Sequence, residues 1–270
     1  MNSMIKDKRK LNNAIQKELL SIAKTESKFQ KSAEAETSKY KELLKSKIPP
    51  GLNQTLEKSF STAFGIVFKN GVGIIEKSFD KEGISQDFNI HDYSINIKCN
   101  RKELKNLKKK AKKSDFKNMS ITTAEGVGLG ILGVGLPDIV LFIGMVLKGI
   151  YEVALNYGYD YDSPTEKYFI LKLMGTSLSK NNDWVVKNAE VDNLLNTTQQ
   201  VDEDMLKSQI EDTSKLFAVD MLVLKFIQGL PAVGAVGGAF NPVYYNKIMN
   251  YARTKYYKRY LNDKLLLLND

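Results

Sequence analysis

Gly126-Val-Gly-Leu-Gly-Ile-Leu-Gly-Val-Gly-Leu-Pro137-Asp138, running on into Ile139-Val-Leu-Phe-Ile-Gly-Met-Val-Leu147, is the stretch whose reading decides the fold. A membrane-spanning helix needs about 20 predominantly apolar residues, and this run reaches that length. Pro137 and Asp138 stand in its middle, however, and Glu125 stands at its entrance. A carboxylate at the bilayer centre costs on the order of 3 kcal/mol, and proline removes a rung of the helical hydrogen-bond ladder. A second apolar region, Leu216–Tyr245, is broken in the same way at Gly229-Leu230-Pro231. Each region reads as two arms of about 11–14 residues meeting at Gly-Leu-Pro, a length that suits a buried core helix or a re-entrant hairpin. Gly126 and Gly130, and again Gly234 and Gly238, are spaced four apart, which lets two helix backbones approach closely. Such glycines cost up to about 1 kcal/mol each against alanine in a helix, so tight packing or membrane contact has to offset them.

Both regions are framed by basic segments. Residues 101–117 hold nine basic residues against two acidic ones, a surplus of seven in a chain whose net charge is +9. Leu104, Leu107, Ala111 and Phe116 give this segment a narrow apolar stripe, so it reads as a basic amphipathic helix. Lys108, Lys109, Lys110, Lys112 and Lys113 are the first candidates for contacts to anionic headgroups. The closing segment, Val243–Leu268, mixes Ile248, Tyr251, Tyr256 and Tyr260 with Arg253, Lys255, Lys258 and Arg259, and reads as a second basic helix with the same potential.

The remaining chain fits an all-α class. Leu11, Ile15, Leu19 and Ile22 recur at helical spacing within a charged N-terminal extension over residues 1–47. Pro49-Pro50-Gly51 interrupts, and Leu52, Leu56, Phe60, Phe64 and Val67 then define a core-facing helix to about Phe79. Residues 80–100 are the least helical part and read as a loop with a short extended piece over 93–98. A helix is expected from about Pro164 to Leu178. Residues 181–212 are expected to form a loop plus a polar helix with Val201, Met205 and Ile210 inward. The expected architecture is a single multi-helix domain over residues 48–270, carrying the two broken glycine-rich segments, with the extension ahead of it.

At 43% apolar and 26% charged residues the composition excludes a disordered chain. Cys99 is the sole cysteine, so no intramolecular disulfide forms and an inert reduced thiol is expected. His91 is the sole histidine, leaving no second one for a metal site, and no cofactor is expected. No apolar signal-peptide core follows the basic N-terminus, so we expect a cytoplasmic protein. Nucleic acid is the weaker polyanionic partner, because zinc-finger and RNA-binding signatures are absent. The one pair of residues that suits acid–base chemistry is Glu125 and Asp138, carboxylates flanking an apolar stretch where burial raises a pKa. Their positions suit helix starts better, where carboxylates cap and oppose the dipole.

Several of these pieces together resemble the EcsC family. They are Lys47-Ile-Pro-Pro50; Thr123-Ala-Glu-Gly-Val-Gly128 with Gly135-Leu-Pro-Asp138; Ala154-Leu-Asn-Tyr-Gly158-Tyr-Asp160; Tyr168-Phe-Ile-Leu171; Gly234-Ala-Val-Gly-Gly238; and Tyr257-Lys-Arg259-Tyr-Leu261. The resemblance covers about residues 40–262. It implies a helical bacterial protein, and the family's name, taken from a gene neighbouring an ABC-transporter operon, implies work at the cytoplasmic membrane face. It brings no catalytic residues. The expectation is therefore a non-enzymatic, peripheral protein docking its basic helices on anionic lipid or a membrane protein such as a transporter. An enzyme using Glu125 and Asp138, or a membrane-perturbing toxin, immunity or defence component, are the alternatives.

Overall fold

A computed structural model describes residues 2–35, 51–118, 137–196, 200–227 and 242–269, and among these the chain is all-α. Helix α1, Asn2–Ala35, turns Leu11, Ile15 and Ile22 inward as its spacing predicts, with Leu19 half-buried beside them. It also buries Glu18, a carboxylate inside the apolar stripe. Helix α2 runs Leu52–Ile66, passes through a π-helical turn at Val67–Gly71 and resumes over Val72–Glu76. The π turn accommodates one extra residue per turn, which re-phases the helix so that Gly71 and Ile75 follow Val67 into the core.

Residues 80–100 are not a loop. They form α3, Lys81–Lys98, followed after a tight turn by α4, Arg101–Asn118. Asp80 caps α3, its Oδ1 accepting from the Gly83 amide at 2.9 Å, and Cys99 ends it in the left-handed conformation. Asn100 caps α4 by accepting from the Glu103 amide at 3.1 Å. The alternation of Ile95 and Ile97 that reads as a strand is the trace of a helix whose two faces differ: Ile95 is buried and Ile97 is out. Helix propensity is a weak prior that a cap and tertiary packing override.

Helix α5, Pro137–Asn156, is continuous for 20 residues, longer than the arm expected after Pro137. Its window Ile139–Asn156 is long and apolar enough to cross a membrane, yet 89% of that window is buried within the protein. It is packed by α2, α3, α4 and the final helix. Helix α6, Pro164–Leu178, follows the expected bounds, with Ser163 accepting from the Glu166 amide at 3.1 Å and Pro164 at the first position. The stretch expected as loop then helix forms two helices, α7 (Asn181–Leu194) and α8 (Glu203–Ile227). Val201, ahead of α8, and Met205 and Ile210 on it are only half-buried, while Gln209, Thr213 and Phe217 carry its inward face. Helix α9, Pro242–Asn269, closes the fold. It lies against α5 and α6 with α1 across it, and α2 and α8 pair on the far side of α5 and α6. Gly126, Gly130, Pro231, Gly234 and Gly238 lie outside the described residues, as do the side chains of Pro137 and Asp138.

Candidate functional site

Helix α9 carries four of the basic residues expected at a surface, and the structure turns three of them inward. Lys255 is 0% exposed, its Nζ 2.7 Å from Asp192 Oδ1 of α7 and 2.5 Å from Glu26 Oε1 of α1. Lys258 joins the same two carboxylates at 2.9 and 3.1 Å. Arg259 donates to both oxygens of Glu166 on α6, at 2.8 and 3.1 Å, with its guanidinium 4.1 Å from the centre of the Tyr159 ring. Burial works against the Arg259 charge, but the Glu166 carboxylate outweighs it and raises the pKa. Arg253 is half-buried, and burial draws its guanidinium down to about 10.

The tyrosines of α9 complete the pattern. Tyr256 donates to Glu166 at 2.6 Å, Tyr257 to Glu18 at 3.2 Å and Tyr260 to Asp92 of α3 at 2.6 Å. Burial, reinforced by these carboxylates, pushes all three phenols upward, so they remain donors. Carboxylates from α1, α3, α6 and α7 thus converge on one helix. A buried charge is tolerated only when paired and hydrogen-bonded, and this arrangement meets that condition. In this structure Lys255, Lys258 and Arg259 are engaged with carboxylates of α1, α6 and α7.

The lysines of α4 are placed differently. Leu104, Leu107 and Ala111 seat the helix on the core, and Arg101 reaches Glu18 at 2.5 Å. Lys110 is ion-paired to Asp87 of α3, and Lys98 bridges back to Glu103 at 3.2 Å, so α3 and α4 lie side by side. Lys108 is exposed with its Nζ 5.2 Å from the Tyr257 ring centre. Lys109 and Lys112 are exposed, as are Lys102 and Lys105. At about 100° per residue, Lys102, Lys105, Lys109 and Lys112 fall in a sector of about 80° opposite Leu107. Among the described residues none of these four has an ion-pair partner. The densest lysine run, residues 108–113, draws attention away from Lys102 and Lys105, whose place on this face is legible only in the spacing of three, four and three residues. The side chain of Lys113 lies outside the described residues.

A second polar cluster is buried where α6, α7, α8 and α9 meet. Lys180 Nζ is 3.6 Å from Asp220 Oδ1, and the Tyr244 hydroxyl donates to the Asp220 carbonyl at 2.5 Å. Burial, with the charge of Lys247 beside it, draws Lys180 down to about 6. Burial likewise pushes Asp220 up to about 6. No sequence motif marks these residues. Glu125 and the side chain of Asp138 lie outside the described residues. Among those described, no group of three or more His, Cys, Asp or Glu side chains is placed to hold a metal. Cys99 is buried with its thiol against the Asn96 carbonyl at 3.0 Å, and burial pushes its pKa up, away from nucleophilic character.

Fold and surface together define a multi-helix α protein tied through one polar-decorated helix, with a lysine face on an outer hairpin. The chain belongs to the EcsC protein family, whose family model matches residues 13–261. The match takes in most of α1 and so begins well before residue 40. Among curated proteins, the chain is similar to Protein EcsC of Bacillus subtilis (strain 168), at 26% identity over 156 residues. That alignment covers 57% of this chain and 63% of the relative, so the chain spans less than two thirds of the relative's length. No solved structure matches it.

Proposed function

We propose that this protein is a non-enzymatic, peripheral membrane protein that docks the lysine face of α4 on an anionic membrane surface, at its cytoplasmic side. The observation that carries this reading is the set of four exposed lysines, Lys102, Lys105, Lys109 and Lys112, aligned on the outward face of a helix otherwise fixed by its apolar stripe. A lysine near an anionic surface contributes about 1 kcal/mol. Four together reach about 4 kcal/mol, close to three decades in a partition constant. The attraction falls steeply with ionic strength because the charges are solvent-exposed. Family membership supports a shared architecture and leaves the activity to this argument.

Vesicle co-sedimentation tests it. The full chain is expected to pellet with phosphatidylcholine vesicles carrying about 30% phosphatidylglycerol and to stay in solution with phosphatidylcholine alone. Replacing the four lysines by glutamine should lower the partition constant by roughly a hundredfold or more at low salt while leaving the thermal midpoint unchanged. Equal pelleting of both proteins, or none of the native chain, would overturn the proposal.

A further inference from the structure

Three sides of α3 are occupied. Ile95 faces the core, Asp87 and Lys98 reach α4, and Asp92 and Asn96 reach Lys264 of α9 at 2.9 and 2.8 Å. The fourth side presents Ile90, Tyr93 and Ile97, which are 64%, 68% and 63% exposed. At about 100° per residue these three fall within a sector of about 60° opposite Ile95. They form an apolar stripe along the outer face, not a scatter of single residues. Because α3 and α4 are bridged side by side and both rest on α5, this stripe runs beside the ridge of Lys102, Lys105, Lys109 and Lys112.

We infer that Ile90, Tyr93 and Ile97 enter the interfacial layer of an anionic bilayer when the lysine ridge settles on its headgroups. The inference rests on the docking reading above and adds the mode of contact. An apolar strip rimmed by lysines is the arrangement of an interfacial helix, with apolar side chains at the acyl boundary and ammonium groups among phosphates. A tyrosine in the middle of the strip suits that depth, since its ring is apolar and its hydroxyl stays wet. The lysines select the surface as the occupant: a protein groove lined with apolar side chains would leave four ammonium groups to find separate carboxylates, whereas an anionic leaflet meets both halves of the face at once. Binding then has two parts, one screened by salt and one not.

The test uses the full chain and the same vesicles at about 0.1 M and about 0.5 M salt. Replacing Ile90, Tyr93 and Ile97 by glutamine should lower partitioning roughly tenfold or more at both salt levels. The substitution Val186→Gln, at an exposed apolar site on α7, should change nothing. In a Tyr93→Trp variant, emission should shift to the blue on vesicle addition and be quenched by lipids brominated in the upper acyl chain; the native Trp184 is buried and supplies a constant background. If the lysine variants lose binding while partitioning of the stripe variant and emission of the Tyr93→Trp variant are unaffected, the insertion is overturned and the docking reading stands. If the native chain ignores anionic vesicles at low salt, both fall. If the stripe variant abolishes a concentration-dependent dimer and leaves vesicle binding intact, the stripe covers a second copy of the chain and the inference is wrong.

Discussion

Glu166 shows how much one residue holds here. Its two oxygens share the Nη1 group of Arg259, and Oε1 also accepts from the Tyr256 hydroxyl, in a site where Glu166 is 4% exposed. Glu166→Gln leaves a largely buried guanidinium without its counter-charge. Removing one partner of a buried pair costs on the order of 3 kcal/mol, and urea unfolding should record a loss of that size with an unchanged slope. Arg259→Lys should lose less, because the charge survives but the stacking of the planar guanidinium on Tyr159 does not. The basic character of α9 is legible in the sequence, whereas its direction is not. Arg259 meets a carboxylate 93 positions away and Tyr257 one 239 away. Nothing local distinguishes a lysine that will face water from one that will be enclosed. Glu18 makes the same point from the other side: it sits in an apolar stripe where periodicity calls for a hydrophobic residue.

Among the elements, α5 and α3 mark the limits of pattern reading. The described part of α5 begins at Pro137, and the arm expected ahead of it lies outside the described residues. Gly126 and Gly130 lie outside the described residues, but a close helix–helix approach is visible at Gly149. A methyl group built on Gly149 would lie 2.6 Å from the Tyr245 hydroxyl and 3.0 Å from Met249, so α5 and α9 touch there. Just beyond α5 comes Gly158, with φ +82° and the Tyr159 amide donating to the Ala154 carbonyl at 3.0 Å. Gly158→Ala would drive a methyl group into the Phe88 ring and add left-handed strain. We expect a loss of about 2 kcal/mol, read as a lower thermal midpoint; relieving the ring with Phe88→Leu should recover part of it. The helicity of α3 is hidden in the sequence because its polar cap, its inward Ile84, Phe88 and Ile95, and its outward isoleucines overlay one another in a short span. Two apolar faces at helical spacing blur the period that one face would show.

For the molecule as a whole, the buried cluster of Lys180, Asp220 and Lys247 predicts how stability follows pH. Two lysine amines share one carboxylate, so burial prevails over the 3.6 Å attraction between Lys180 and Asp220. Lys180 loses its proton near 6 when folded, against 10.5 for an ordinary lysine, so the folded state binds fewer protons and stability rises as pH climbs from about 6. Asp220 keeps its proton to about 6, against 3.8, so stability falls as pH climbs from about 4 to that point. A shallow minimum near pH 6 is expected in the urea midpoint. Lys180→Met should flatten the rising limb between about pH 6 and 8.5 and leave the acid limb in place. A rising limb that survives this substitution would show that Lys180 stays charged when folded.

The convergence on α9 also has a meaning in time. Glu26, Asp92, Glu166 and Asp192 all precede, in chain order, the helix that neutralises them. A ribosome delivers α1 through α8 first, and until α9 emerges those acids lack their α9 counterparts and must stay hydrated. The bundle cannot dry its interior around them early, so its final compaction awaits the last stretch of translation, and a message cut short before α9 would yield an open, protease-sensitive chain.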